Sequence, residues 1–213
     1  MQYKKSLKIN FDKFLKIVRN KKKIKIKMSK FPSKFRFEII IGSMFSGKST
    51  ELLRRVSCWE AIGKKALLVN HQFDTRTTNF VKTHNNEKKL AIKTNSLLKL
   101  INLNEFKDAD VIGIDEAQFF NDLKPFILEV EHLPKTIIIS GLDGDYQRNP
   151  MGQILECIPL CDKVDKLTGL DMMSRDGSIG LFTKRIINST KEVLIGDKDT
   201  YMSVNRENYF KEL

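Results

Sequence analysis

The nine residues Gly42 to Thr50, GSMFSGKST, match the pattern G-x-x-x-x-G-K-[ST] at every fixed position: Gly42, Gly47, Lys48 and Ser49. Glycines at both ends let the backbone turn tightly and bring its N–H groups up to a phosphate chain, where the start of a following helix also favours an anion. In this chemistry Lys48 reaches the outer phosphates of a nucleoside triphosphate, and the Ser49 hydroxyl faces Mg²⁺. The loop set is Gly42, Ser43, Met44, Phe45, Ser46, Gly47, Lys48, Ser49 and Thr50. The plain alternative is an ordinary glycine-rich turn. Against it stand the apolar run Phe37–Ile41 before the loop and the helix-opening Glu51–Val56 after it.

A second cluster of chemistry ends the apolar run Asp110–Asp115. An acid at the end of a buried strand is the usual second half of a phosphate-loop site, so Asp115 is a candidate Mg²⁺ ligand. Glu116 follows and, by strand alternation, is expected to face elsewhere as the general base. Its alternative role is that of a solvated acid or one that supports a neighbour. Asp74 and Arg76 follow the strand Ala66–Asn70, at the strand end where open α/β sheets bind ligands. A surface ion pair is the bland reading of those two. Phe119-Phe120 suits either core or one wall of a pocket.

These residues need a scaffold, and the pattern supplies one. Helices are expected from Ser49 to Ile62 with Gly63 as C-cap, from Ser96 to Leu103, and from an Asp122 cap to Glu131. Further strands are Ala66–Asn70, Asp110–Asp115 and Thr136–Ser140, the last running into the loop Gly141–Arg148. Residues 77–93 give no assignment, and His84 reads as an exposed loop residue. Strands alternating with helices imply a mainly parallel sheet covered on both faces. After Gly152 the chain turns β-like, at Val164–Leu170, Leu181–Ile187 and Glu192–Ile195, around a turn at Arg175–Gly177. The expected architecture is an α/β, P-loop NTPase-like parallel sheet flanked by helices, with a small β-rich C-terminal part. The expected divisions are a basic extension at 1–36, the α/β domain at 37–160, and the β-rich part at 161–213, folding over a ligand.

The net charge of +12 resolves once it is divided along the chain. Residues 1–37 hold 14 Lys+Arg and one acid, leaving 24 basic and 25 acidic residues for the other 176. The excess is a property of the tail, and the near-neutral remainder argues against a nucleic-acid-binding module. The tail reads as a solvated extension, a basic patch for nuclear import or nucleic acid, or an organelle-targeting segment; its poverty in Arg and Ser opposes the last. Met28 is a second candidate start. Three cysteines make no paired framework, and no apolar run is long enough to cross a bilayer. A soluble cytoplasmic protein without a membrane partner is expected, with nuclear or organelle targeting through the tail as the alternative.

Six segments in order carry a more specific signal: MFSGKSTEL at 44–52, DTR at 74–76, IGIDEAQFF at 112–120, LDGDYQR at 142–148, TKR at 183–185 and IGDKDTYMSVNRENY at 195–209. Together they resemble the type II thymidine kinases, the cellular and poxvirus-like class, over about residues 37–210. The resemblance implies transfer of the ATP γ-phosphoryl group to the 5′-hydroxyl of thymidine, giving dTMP for DNA synthesis. It implies Glu116, Lys48 and Arg76 as catalytic residues, Asp74 as an orienting group at the ATP site, and Ser49 and Asp115 on Mg²⁺. For the nucleoside it implies Phe119 and Tyr146 as aromatic walls, with Met44, Leu142, Met151, Thr183, Val193 and Tyr201 around the base. A late loop, a lasso over about Lys184–Tyr201, would close over the nucleoside and read it through backbone groups. A homotetramer is implied as well.

The departures are specific. The family commonly holds a structural zinc with two Cys-x-x-Cys pairs; the matching positions here are Asp171, Ser174, Asn205 and Asn208. Such a set lacks the thiolates and imidazoles of structural zinc sites, so no zinc is expected. Cys157 and Cys161 lie outside those positions and are expected to pack in the core. Tyr146 replaces the usual phenylalanine, and Met151 a second aromatic. These softer walls leave open a broader deoxynucleoside kinase; a phosphate-loop ATPase using the tail on nucleic acid is the remaining alternative.

Overall fold

A computed structural model describes residues 35–73, 80–82, 88–187 and 199–212. Asp74, Arg76, His84, Val193, the β-like Glu192–Ile195 and the basic tail up to residue 34 lie outside the described residues.

The strands form where apolar, β-branched residues run without interruption. They are β1 (Arg36–Gly42), β2 (Ala66–His71), β3 (Phe80–Lys82), β4 (Lys88–Leu90), β5 (Ile92–Thr94), β6 (Val111–Asp115), β7 (Thr136–Leu142) and β8 (Lys163–Leu167). Six of them make one parallel sheet in the order β5-β2-β6-β7-β1-β8. Each central strand is buried on both faces, and the two-residue period sorts its side chains. Phe37, Ile39, Ile41, Ile112, Ile114, Ile137 and Ile139 join Phe106, Phe120, Leu123 and Phe126 in one apolar cluster. Their alternates Ile40, Leu68, Val111 and Ile138 join Leu52, Leu53 and Val56 in a second.

The second cluster is the contact with α1 (Lys48–Ala61). Gly113 lets this helix sit close: a Cβ there would come 2.7 Å from Leu68 Cδ2 and 2.9 Å from Val56 Cγ2. Arg55 adds a polar tie from α1 to the sheet, with Glu38 at 2.7 Å and Asp165 at 2.6 Å, while Glu51 of the same helix lies at 2.8 Å. Gly63 ends α1 at φ 81°, its N–H donating to the Glu60 carbonyl at 2.9 Å, as the sequence implied.

Other boundaries differ from expectation. The helix expected over 96–103 is a 3₁₀ turn at Leu98–Asn102 followed by α2 (Asn104–Asp108). Asp122, expected to cap the helix to Glu131, turns its carboxylate to this turn, accepting from Ser96 Oγ and from the N–H groups of Leu97 and Leu98. Burial opposes its charge, yet these bonds hold its carboxyl below the ordinary Asp value. The helix after it, α3, runs Leu123–Val130. Of residues 77–93, left unassigned by pattern, the described ones supply the antiparallel pair β3–β4 and most of the edge strand β5.

Lys163–Leu167 lies beyond the expected boundary at 160, yet pairs with β1 as the sheet's other edge. Beyond it come β9 (Gly169–Leu170), β10 (Ile179–Gly180), β11 (Phe182–Arg185), β12 (Tyr201–Val204) and α4 (Arg206–Phe210). β9 pairs with β10 and β11 with β12, both antiparallel.

Candidate active site

The C-terminal ends of β1, β6 and β7 converge, and the phosphate loop hangs from the first. Gly42 cannot carry a side chain: its φ is 149°, and a Cβ would approach the Leu167 carbonyl oxygen to 2.2 Å. Gly47 follows at φ 82° and precedes α1 without a side-chain cap, at the helix end that favours an anion. Phe45 takes a left-handed φ of 62° between them. The Ser43 carbonyl accepts from Ser46 Oγ at 2.8 Å and from the Lys48 ammonium at 2.6 Å. Thr50 is exposed on the first turn of α1.

Asp115 ends β6 almost fully buried, accepting from Ser49 Oγ at 3.2 Å and from Ser140 Oγ at 2.5 Å. β7 lies between β1 and β6, so Ser140 reaches sideways to the carboxylate. The Ser49 hydroxyl and the Asp115 carboxylate are hard oxygens placed side by side, a donor set that fits Mg²⁺.

Glu116 departs from the strand-alternation argument. It stands just past β6 in the left-handed region, at φ 53° and ψ 41°. That backbone is costly for a residue with a Cβ. Gln118 then holds the side chain: its Nε2 donates to Glu116 Oε2 at 2.7 Å, and its Oε1 accepts from the Leu142 N–H at 3.0 Å. Gln118 is 3% exposed. A Cβ on Gly141 would meet its Oε1 at 2.4 Å, and one on Gly152 its backbone oxygen at 2.0 Å. Sequence reasoning passed over Gln118; the signal was there, a polar residue among Ala117, Phe119 and Phe120.

The aromatic pair divides. Phe120 is fully buried, whereas Phe119 is half-buried, 5.3 Å from the Phe73 ring and 5.9 Å from His71. His71 is the last residue of β2 and packs edge-on to Phe120 at 4.6 Å. Burial lowers its pKa, which fits the Nδ1 acceptor for the Phe73 N–H at 3.0 Å.

The C-terminal strands reach the loop directly. The Met44 N–H donates to Thr183 Oγ1 at 3.0 Å, and the Ser43 and Ser203 hydroxyls lie 3.4 Å apart. Buried Tyr201 accepts at its hydroxyl from Arg185 Nη2 at 3.1 Å. The same guanidinium stacks 3.7 Å from the centroid of Tyr146. Arg185 lies within the TKR segment, and its stack with Tyr146 arises only through tertiary contact. Leu142 ends β7, and Met151 is half-buried in the loop beyond the Gly144–Pro150 bridge. Thus Met44 and Thr183 are brought together, as are Tyr146 and Tyr201 through Arg185.

Comparison with known proteins decides the family. The thymidine kinase family model matches residues 35–209. The thymidine kinase of Myxoma virus (strain Uriarra) is 42% identical over 173 residues, covering 81% of this chain and 94% of its own. This chain belongs to the thymidine kinase family. The cytosolic thymidine kinase of Homo sapiens is 40% identical over 184 residues, covering 85% of this chain and 76% of its own. Among solved structures, the flagellar accessory protein FlaH from Methanocaldococcus jannaschii covers 73% of this chain and 74% of its own at 17% identity and a TM-score of 0.44.

The positions matching the family's zinc thiolates carry no Cys or His here. Asp171, Ser174, Asn205 and Asn208 do meet in space, but their polar atoms bond one another and nearby main-chain groups. Among the described residues no group of three or more His, Cys, Asp or Glu gathers to hold a metal. Cys157 is buried and Cys161 packs beside it against the core; burial raises the Cys157 thiol to about 11. No described helix is long and apolar enough to cross a membrane.

Proposed function

We propose that this protein transfers the γ-phosphoryl group of ATP to the 5′-hydroxyl of thymidine, giving dTMP and ADP, with Mg²⁺ at Ser49 and Asp115. The observation that carries this reading is the split between two adjacent acids. Asp115 is buried among hydroxyls beside the phosphate loop, while Glu116 stands on a left-handed backbone and accepts from Gln118 instead. One carboxylate suits a cation and the other suits a proton.

In this reading the amides of residues 42–50 and the Lys48 ammonium bind the phosphates. Lys48 exchanges the Ser43 carbonyl for phosphate oxygens when ATP enters. Glu116 accepts the proton of the 5′-hydroxyl as that oxygen bonds to the γ-phosphorus and the bond to the ADP oxygen breaks. Mg²⁺ neutralises charge on the phosphate oxygens. Arg76 supports the transferring group and Asp74 orients its neighbours. Phe119, Tyr146, Met44, Leu142, Met151, Thr183, Val193 and Tyr201 surround the nucleoside, with the segment at 184–201 closing over it. The α/β body at 37–160 then binds the donor and supplies part of the nucleoside pocket, and the β-rich part at 161–213 completes that pocket over the acceptor. A homotetramer in the cytoplasm belongs to the same reading; sedimentation tests the assembly.

A second reading, a kinase with a broader choice of base, is favoured by Tyr146 and Met151. Thymidine and deoxyuridine differ by one methyl group, worth about 1–3 kcal/mol in an apolar pocket. The test is phosphoryl transfer from labelled ATP to a panel of deoxynucleosides with Mg²⁺ and no added zinc. Highest kcat/KM for thymidine is expected. Equal transfer to several bases favours the broader kinase, and no nucleoside product overturns both.

A further inference from the structure

The four residues at the resemblance's zinc-thiolate positions have stayed together and become something else. Asp171 is 2% exposed, and hydrogen-bond donors surround its carboxylate. Oδ1 accepts from the N–H groups of Met173 at 2.8 Å and Ser174 at 2.6 Å. Oδ2 accepts from the Asn205 N–H at 2.5 Å, and Asn208 Nδ2 stands 3.1 Å from both oxygens. The ring of contacts closes through the other members. Asn208 Nδ2 also donates to Ser174 Oγ at 2.6 Å, and Asn205 Oδ1 caps α4 by accepting from the Asn208 N–H at 2.8 Å. Asn205 Nδ2 reaches Ser178 Oγ at 3.3 Å.

A cation placed here would face the wrong chemistry. The N–H groups of Met173, Ser174 and Asn205 converge on the centre of the cluster, and they call for negative charge. The set offers no thiolate or imidazole. We propose that the Asp171 carboxylate is itself the cross-link: a buried anion that ties the β9–β10 hairpin to the end of β12 and the start of α4, in place of a metal ion.

The physics of the exchange is direct. A zinc–thiolate centre joins distant segments by bonding four ligands to one cation. Asp171 joins the same segments by bonding several N–H donors to one anion. A carboxylate that accepts several such bonds is strongly favoured in its charged form. Its removal would leave buried N–H groups unpaired, which is the costly half of losing a hydrogen bond. The knot also lies close to the site. Asn205 follows β12 directly, and β12 carries Tyr201 and Ser203; β11, its partner strand, carries Thr183, which binds the Met44 N–H. Loosening the knot should therefore disturb nucleoside binding before ATP binding. This last step rests on the acceptor role proposed above for β11 and β12; the knot itself does not.

The test uses the full chain purified without chelator. Elemental analysis should find zinc far below one per chain, and 1,10-phenanthroline should leave the thermal midpoint within about 1 °C. Asp171→Asn, nearly isosteric but offering an N–H₂ where the knot needs an acceptor, should lower the midpoint by about 5–10 °C. It should also raise the KM for thymidine several-fold with little change for ATP. Ser174→Ala, a milder cut, should lower the midpoint by about 2–4 °C and decides the matter if Asp171→Asn does not fold. Stoichiometric zinc, a midpoint that drops on chelation, or variants as stable as the parent would overturn the proposal. A lowered midpoint with unchanged thymidine KM would uphold the knot and count against the acceptor role of these strands.

Discussion

The sheet and the C-terminal strands are held by opposite means. The sheet buries apolar side chains on two faces, in clusters that run from Phe37 to Cys157 and from Ile40 to Ile138. The C-terminal part has few such residues. Its Thr183, Lys184, Arg185, Ser203 and Asn208 are all buried polar or charged groups. Lys184 Nζ caps carbonyls of Asn208 and Lys211, Arg185 bridges two tyrosines, and Asp171 gathers amides. Arg148 lies 4.4 Å from the Tyr209 ring centroid and 5.1 Å from Phe210's. Apolar burial is non-directional and tolerant of drift, whereas hydrogen bonds demand particular partners. The sheet should thus resist single polar changes, and the C-terminal strands should not.

The comparison can be broken most sharply at its junction. Glu116→Gln should lower kcat by about 10²- to 10⁴-fold while ATP affinity, read by fluorescence titration, stays within about twofold. Gln118→Met should lower kcat by about 10- to 100-fold through misplacement of Glu116. In a Glu116→Gln background the same change should cost almost nothing further; additive losses would mean that Gln118 does not act through Glu116. In the sheet, Ile138→Ala should cost about 2–5 kcal/mol in denaturant melts, with the thymidine KM of the folded fraction unchanged. A raised KM there would show that the two halves are not separable.

Acid sharpens the contrast. Burial opposes the Asp171 charge, but the bonds from Asn205, Ser174, Asn208 and Met173 outweigh it and hold the carboxyl below its ordinary 3.8. A folded value below the unfolded one means stabilisation that is complete above the ordinary pKa and lost as pH falls through the folded value. The gap in thermal midpoint between the parent and Asp171→Asn should therefore be full at neutral pH and narrow below about pH 4. A gap independent of pH would remove the charge from the explanation. The smallest effect is expected for Arg148→Met, about 0.5–1 kcal/mol by calorimetry, as suits an exposed cation over aromatic rings.

Much of this was legible in the residues. GSMFSGKST announced its loop because phosphate binding needs glycine at fixed spacing, and that need is local. The central strands announced themselves as uninterrupted apolar runs, since burial on both faces leaves no room for polar alternation. β5 did not, because so short an edge strand gives no apolar run, and β8 read as β-like while its place at the sheet edge beside β1 did not show. Glu116 was found as an acid after a strand, but its direction was argued from strand alternation and is set instead by a left-handed turn. Arg185 could not be assigned from pattern, since its partner Tyr146 is brought near only by folding.

The sequence alone therefore determined the phosphate loop, the two acids, the parallel sheet and the loss of four thiols, all of which are written in residue types at short spacing. Only the tertiary structure decided what stands in for those thiols. Asp171 and Asn208 are far apart in the chain, and nothing in either residue says that one will accept the other's N–H groups. That is fixed by the antiparallel pairing of β11 with β12, which returns the chain to the hairpin and leaves a buried carboxylate no solvent to bond but its neighbours.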